Sequence, residues 1–232
     1  MTATPEEKKT EKRKFARRYA KEYHTLRWMF HIFTIGLCHY YFKYCYQFKV
    51  EGKENIPKST RVIYAANHVS MFDPLFVSSA IFKPVAYMAK MELFEKDCNL
   101  QWWVKRLGAF SVNRDKPELS TFRTIAEVFK TTWSLGIFPQ GGIRDNKKIE
   151  NIQKGFAIIA HKTKADIVPV AICGFDGYKK GWKAHQVTIK IGKPISHTLD
   201  PEEIMQQWAK FICDNTGFEN CINTNKEELL HT

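Results

Sequence analysis

The sequence predicts an α/β fold preceded by a helical element, and three observations carry that expectation. After Tyr46, short apolar runs alternate with stretches of helical spacing, the texture of strands and helices packed in layers. Before it, apolar side chains recur every three or four residues within a basic, aromatic-rich stretch. At 232 residues the chain is long enough for one well-packed domain and short for two. The expected division is therefore a basic amphipathic helical element over residues 1–45 and an α/β domain over 46–232.

The first ten residues, with Pro5 and a Glu-Lys run, read as a frayed tail. From Phe15 onward, Phe15, Tyr19, Tyr23, Leu26, Phe30, Phe33 and Leu37 form a helical stripe, and Lys12, Arg13, Lys14, Arg17, Arg18 and Lys21 crowd the same region. Cations that meet lipid phosphates beside rings that enter the headgroup boundary are what an interfacial membrane helix requires. Between Arg27 and Lys43 lie fifteen residues without Lys, Arg, Asp or Glu. A spanning helix needs roughly 20 apolar residues, and His31, Thr34, Gly36 and His39 interrupt this run. It is expected to lie on a membrane, with Gly36 a candidate bend between two helices; a helical hairpin packed on the globular domain fits the same pattern.

Strands are expected at 46–52, 61–66, 85–89, 108–112, 135–138, 167–172 and 186–191, and helices near 74–82, 117–131, 152–161 and 201–215. The last is the best signposted. Asp200 can cap it, Pro201 suits its first turn, and Glu202 and Glu203 favour the positive end of its dipole.

An excess of 36 Lys and Arg over 24 Asp and Glu gives a net charge of +12, which points to a polyanionic partner: nucleic acid, an anionic membrane or a phosphorylated substrate. Neither zinc-finger spacing nor a basic region joined to heptads is present, which lowers the nucleic-acid reading. Six cysteines without a Cys-x-x-Cys pair, behind a charged N-terminus, fit free thiols in a reducing, cytosol-facing setting. No spacing suggests a metal site, and His31 and His39 read as interfacial polar groups. Gly-x-Ser-x-Gly, Walker and Gly-x-Gly-x-x-Gly motifs are all missing, so serine-hydrolase, nucleotide-hydrolase and dinucleotide-binding readings lack their mechanical parts. Trp102, Trp103 and Trp182 fit either membrane-edge anchoring or ordinary packing.

The run Arg61–Ala66 leads directly into Asn67-His68-Val69-Ser70-Met71-Phe72-Asp73-Pro74. A histidine just past a buried strand, with a carboxylate five residues on, can form an oriented general base that deprotonates an attacking alcohol, so no serine or cysteine nucleophile is needed. Asp73 before Pro74 is also a good helix start, and a His and an Asp five apart, taken alone, are structural more often than catalytic.

Asn67-His68 with Asp73 resembles the N-H-x-x-x-x-D box of the glycerolipid acyltransferases. Further boxes follow in that family's order: Lys90 and Glu92-Leu93-Phe94, then Gly108–Arg114, then Phe138-Pro139-Gln140-Gly141-Gly142, then Val168-Pro169-Val170-Ala171. The resemblance runs from about residue 48 to 175. It implies a single mixed-sheet domain of that family and transfer of a fatty acyl group from a coenzyme A or acyl carrier protein thioester to a lysophospholipid such as 1-acylglycerol-3-phosphate. No separate cofactor and no metal are implied. His68 is then the general base and Asp73 its orienting partner, while Arg114 grips the acceptor phosphate, as a guanidinium at a strand end is suited to do.

The Phe138–Arg144 box departs from the family's Phe-Pro-Glu-Gly-Thr-Arg: Gln140 stands where glutamate is usual, and Arg144 falls one position late. Gln140 keeps an acceptor oxygen for a substrate hydroxyl but has no charge. Gly141 and Gly142 permit torsions that could return Arg144 to its place. Lys90 adds positive charge to the same pocket or is simply exposed, and Pro169 shapes a strand end. The resulting picture is a monotopic enzyme on the cytoplasmic face of an anionic membrane. Another acceptor (glycerol-3-phosphate, another lysophospholipid or a non-glycerol alcohol) and a non-catalytic membrane scaffold are the alternatives.

Overall fold

The computed structural model describes residues 19–90, 94, 98–112, 119–144, 146–150, 152–175 and 186–222. Among them, strands β1 (Lys49–Glu51), β2 (Val62–Ala66), β3 (Val85–Lys90), β4 (Phe110–Val112), β5 (Ser134–Ile137), β7 (Asp166–Cys173) and β8 (Thr188–Ile191) form one mixed sheet in the order β1-β8-β7-β2-β5-β3-β4. The ladder is parallel except where β8 meets β7. Two short strands, β6 (Lys148–Ile149) and β9 (Glu219–Asn220), pair separately. The helices are α1 (Thr25–Cys45), α2 (Asp73–Ile81), α3 (Cys98–Arg106), α4 (Leu119–Val128), α5 (Gly155–Thr163) and α6 (Pro201–Thr216).

β2 shows why the central strands read as continuous apolar runs: every residue of Val62-Ile63-Tyr64-Ala65-Ala66 is buried. Alternate side chains serve opposite faces. Ile63 and Ala65 join Ile125 and Val128 of α4, Phe156 of α5 and Trp208 of α6, whereas Val62, Tyr64 and Ala66 join Phe42 of α1 and Phe76 and Val77 of α2. The sheet is thus covered on both sides. Trp208 adds a directional tie by donating its indole N–H to Ala65 O at 2.9 Å. Gly136 on β5 lets a bulky neighbour in, since a Cβ there would lie 2.3 Å from the ring of Tyr87.

The seven expected strands are present, with their ends moved by a few residues. The C-terminal helix starts as its signals indicate, with Asp200 accepting from Glu202 N–H at 2.8 Å. Gly36 marks no bend, because α1 runs unbroken from Thr25 to Cys45. Pro169 lies within β7 rather than at its end. Its carbonyl accepts from Gly192 N–H at 2.9 Å, so the missing proline N–H falls on the β8 side, just past the last paired residue Ile191. Helix α3 is not among the elements expected from the sequence; its adjacent Trp102 and Trp103 are each half exposed and pack against Phe30 of α1.

Helix α1 buries His31, Ile35 and Phe42 and leaves Leu26, Met29, Phe33, Leu37, Tyr40 and Tyr44 exposed, so it is apolar on both sides. Stripe positions Leu26, Phe33 and Leu37 therefore face away from the core. No described helix is long and apolar enough to cross a membrane. The basic cluster Lys12–Arg18 lies outside the described residues.

His31 fastens α1 to the segment before β4. It is 2% exposed, its Nδ1 lies 3.1 Å from Leu107 O, and its ring meets Trp133 edge-on. Burial brings its pKa down to about 4 from the ordinary histidine value near 6.5. In that window the unfolded chain binds the extra proton, so stability falls as pH drops from 6.5 towards 4 and is fully present above 6.5. The whole window corresponds to about 3 kcal/mol. Thermal unfolding between about pH 7 and pH 4 should show this acid destabilisation, and His31→Gln, which keeps a donor for Leu107 O without titrating, should flatten the slope.

Candidate active site

Strands β7, β2, β5, β3 and β4 all run the same way, so their C-terminal ends share one edge of the sheet, where open α/β folds place their sites. Three of the sequence boxes open from this edge. β2 leads to His68, β5 to the Phe138–Arg144 loop, and β3 ends at Lys90, while β4 ends at the same edge with Val112.

The β2 loop is held from several directions. Asn67 is buried; its Nδ2 donates to Ile172 O at 3.1 Å and its Oδ1 accepts from Ile172 N–H at 2.8 Å, which ties the residue before His68 to β7. The His68 Nδ1 lies 2.7 Å from Asp73 Oδ2. The same oxygen accepts from Val69 N–H at 2.6 Å and Ser70 N–H at 2.7 Å. Asp73 opens α2 with Pro74 in the first turn, so the helix-start reading and the paired-histidine reading hold together. Its Oδ1 is buried without a hydrogen-bond partner among the described residues.

Burial pushes the Asp73 carboxyl above the usual carboxylate range, against the lowering pull of His68 and the two backbone N–H groups. The Asp73–His68 bond fixes which imidazole nitrogen faces outward. With Nδ1 engaged by a carboxylate, Nε2 is the nitrogen placed to accept a proton. The His68 side chain is 13% exposed, and its ring stacks on Phe138 with centroids 4.2 Å apart.

The β5 loop closes on the same residue. Gln140 Oε1 accepts from His68 N–H at 3.0 Å, and Arg144 N–H donates to His68 O at 2.8 Å. Gln140 is 2% exposed and its Nε2 donates to Lys148 O at 3.4 Å, so both ends of its amide meet the protein's own backbone. Gly141 adopts φ +70°, which favours glycine, and a Cβ there would come within 3.4 Å of Gln153 Cγ. Gly142 adopts no such torsion, so one glycine of the pair makes the turn. Arg144 reaches His68 through its main chain while its side chain is exposed. Lys90 is exposed two strands from β2 on the same edge. Arg114 lies outside the described residues, as do Glu92 and Leu93 of the second box and Trp182.

Beside Phe138 lies an apolar cavity of about 150 Å³. Met88, Val112 and Ile137 floor it from the sheet, Phe122 of α4 and Phe156 and Ile159 of α5 wall it, and Phe138 and Gly141 bring it to the His68 loop. No sequence motif announced this cavity, because its lining comes from five separate elements.

The His68–Asp73 pair at a strand end, next to an apolar cavity at the edge of a mixed α/β sheet, is the candidate site of this fold. The acyltransferase family model matches residues 47–173, and the chain belongs to that family. It is 31% identical over 156 residues to a 1-acyl-sn-glycerol-3-phosphate acyltransferase of Bacillus subtilis (strain 168), covering 66% of this chain and 75% of that one. It is 32% identical over 135 residues to the enzyme of the same name from Streptococcus pneumoniae (strain ATCC BAA-255 / R6), of which it spans 49%. The crystal structure of the 1-acyl-sn-glycerophosphate (LPA) acyltransferase PlsC from Thermotoga maritima shares the fold, with a TM-score of 0.55 over 72% of this chain and 71% of that one at 24% identity.

Because ionisation of a buried Asp73 costs stability, the cost should appear as pH rises through the raised carboxyl pKa and be absent below the ordinary range. Asp73→Asn, which stays neutral, should therefore melt at or above the wild-type temperature near neutral pH, with the difference closing towards about pH 4. A melting temperature several degrees below wild type at neutral pH would contradict this.

Proposed function

We propose that the protein transfers a fatty acyl group from a coenzyme A or acyl carrier protein thioester to the free hydroxyl of 1-acylglycerol-3-phosphate, giving phosphatidate, with His68 as general base and Asp73 as its orienting partner. The observation that carries this reading is the His68–Asp73 pair at 2.7 Å, beside an apolar cavity that shares Phe138 with the histidine. The names of the similar acyltransferases support the acceptor.

In this reading His68 Nε2 takes the proton of the acceptor hydroxyl as its oxygen attacks the thioester carbonyl. The tetrahedral adduct collapses with cleavage of the C–S bond, and the imidazolium returns the proton to the leaving sulfur. The products are the new ester and a free thiol. Asp73 holds the imidazole in the tautomer that exposes Nε2 and stabilises the imidazolium between the two steps. The cavity takes part of an acyl chain, and its apolar lining suits one. Arg114, carried over from the family resemblance, holds the acceptor phosphate, with Lys90 and Arg144 adding positive charge at the same edge.

Both chemical partners are amphiphiles, and the exposed apolar surface of α1, with Trp102 and Trp103 of α3, would set the enzyme on an anionic leaflet. Met71 and Phe72 are exposed directly beside the base and would face the lipid with it. The cytoplasmic face is the side on which coenzyme A and acyl carrier protein thioesters are available.

Acyl transfer from labelled acyl-coenzyme A to lysophosphatidate in mixed vesicles tests the reaction. Phosphatidate should form, and His68→Ala should lower the rate by about 10²- to 10⁴-fold with the fold intact. Transfer to glycerol-3-phosphate in place of lysophosphatidate would reassign the acceptor, whereas no product with either acceptor and either donor would favour a scaffold. Vesicle partitioning tests the membrane face separately. Phe33→Glu combined with Leu37→Glu, both on the exposed side of α1, should weaken binding to anionic vesicles by more than about tenfold, since each buried side chain of this size is worth roughly 1.5 kcal/mol or more. Unchanged partitioning would move the membrane contact elsewhere.

A further inference from the structure

We infer that Gln140 is a positioning residue for the general base: its neutral amide bridges the main chain of His68 to the main chain of Lys148, a bridge that the family's glutamate, when ionised, could not make. The inference rests on the reading of His68 as the base.

The two neighbours of the Gln140 side chain are a donor and an acceptor. Oε1 faces His68 N–H at 3.0 Å and Nε2 faces Lys148 O at 3.4 Å, and the side chain is 2% exposed. Only an amide in this orientation satisfies both, because the reverse orientation sets N–H against N–H and oxygen against oxygen. A carboxylate would keep the first contact, lose the second, and direct a buried negative charge at a carbonyl oxygen. A glutamate here would therefore have to carry a proton to fit.

The bridge belongs to a jig that holds His68 on every side. Asn67 fixes the preceding residue to β7, Gln140 holds the His68 N–H, Arg144 holds its carbonyl, and Asp73 gathers the next two N–H groups together with the ring. Lys148, at the far end of the bridge, starts the small β6–β9 sheet. The amide thus ties the base to that sheet as well as to β5. With both ends of its amide on the main chain and its side chain 2% exposed, Gln140 acts through His68, so its removal should act on turnover rather than on acceptor binding.

The test compares wild type with Gln140→Glu and Gln140→Ala in the full chain, by steady-state transfer with lysophosphatidate varied and by thermal unfolding from about pH 5 to pH 8. Both variants should lose kcat by about 10- to 100-fold near pH 8 with the acceptor KM within about twofold of wild type, the loss expected of a displaced base. Gln140→Glu should also melt close to wild type at the acid end and progressively below it as pH rises, because the raised carboxyl pKa of a buried glutamate makes ionisation costly. A rise in acceptor KM of about tenfold with kcat at the wild-type value would place Gln140 on the substrate and overturn the inference, as would kinetics equal to wild type in both variants. The unfolding arm is independent of the reaction. If wild-type protein forms no phosphatidate, the function assigned to the site fails, and the bridge itself is then upheld by the pH-dependent melting of Gln140→Glu and overturned if that variant melts like wild type at every pH.

Discussion

One oxygen of Asp73 organises the centre of this protein. The His68 ring nitrogen and the Val69 and Ser70 N–H groups all converge on Oδ2 within 2.7 Å, so a loop of six residues is wound around a single buried acceptor. The carboxylate occupies the first turn of α2, where backbone N–H groups and the helix dipole favour negative charge. That placement lets a buried charge serve the fold and the imidazole together. The desolvation that remains uncompensated is visible in the raised carboxyl pKa and in the unpartnered Oδ1.

The sheet gives this loop its neighbours. β2 lies between β7 and β5, and each supplies one clamp: β7 through Asn67, β5 through Gln140 and Arg144. Because the flanking strands are parallel, their loops emerge at the same edge and reach the histidine from both sides. Phe138 then couples the histidine to the apolar cavity, since it stacks on the His68 ring and lines the cavity wall. The polar His68–Asp73 pair and the apolar cavity lie within one loop of each other, the arrangement that the proposed amphiphilic substrate would use.

Helix α1 extends the same logic to the periphery. Its inward side enters the core through Phe42 against Phe76 of α2, with ring centroids 4.3 Å apart, and through the buried His31. Its outward side presents aliphatic and aromatic groups that no described residue covers. The residues that anchor it to the domain are therefore different from those that form its exposed apolar face, so the face can change without disturbing the core.

The sequence by itself determined the strands and helices with strong periodicity or clear caps. Val62–Ala66 is an unbroken apolar run because both its faces are buried, and the last helix announces itself through Asp200, Pro201 and Gly217. It also determined the His68–Asp73 pair, because the two residues are five apart and their contact is a local matter of one loop. Helix α3 and the two-residue strands β6 and β9 were not legible, since their formation depends on partners distant in the chain. Nor was the side of α1 that faces the core, because the helix is apolar on both sides and its Leu26, Phe33 and Leu37 stripe lies opposite the buried Ile35 and Phe42. Tertiary structure alone decided how Gln140 is used: its partners are 72 residues before it and eight after it, and only the packing of β5 against β2 shows that its amide meets an N–H at one end and a carbonyl at the other.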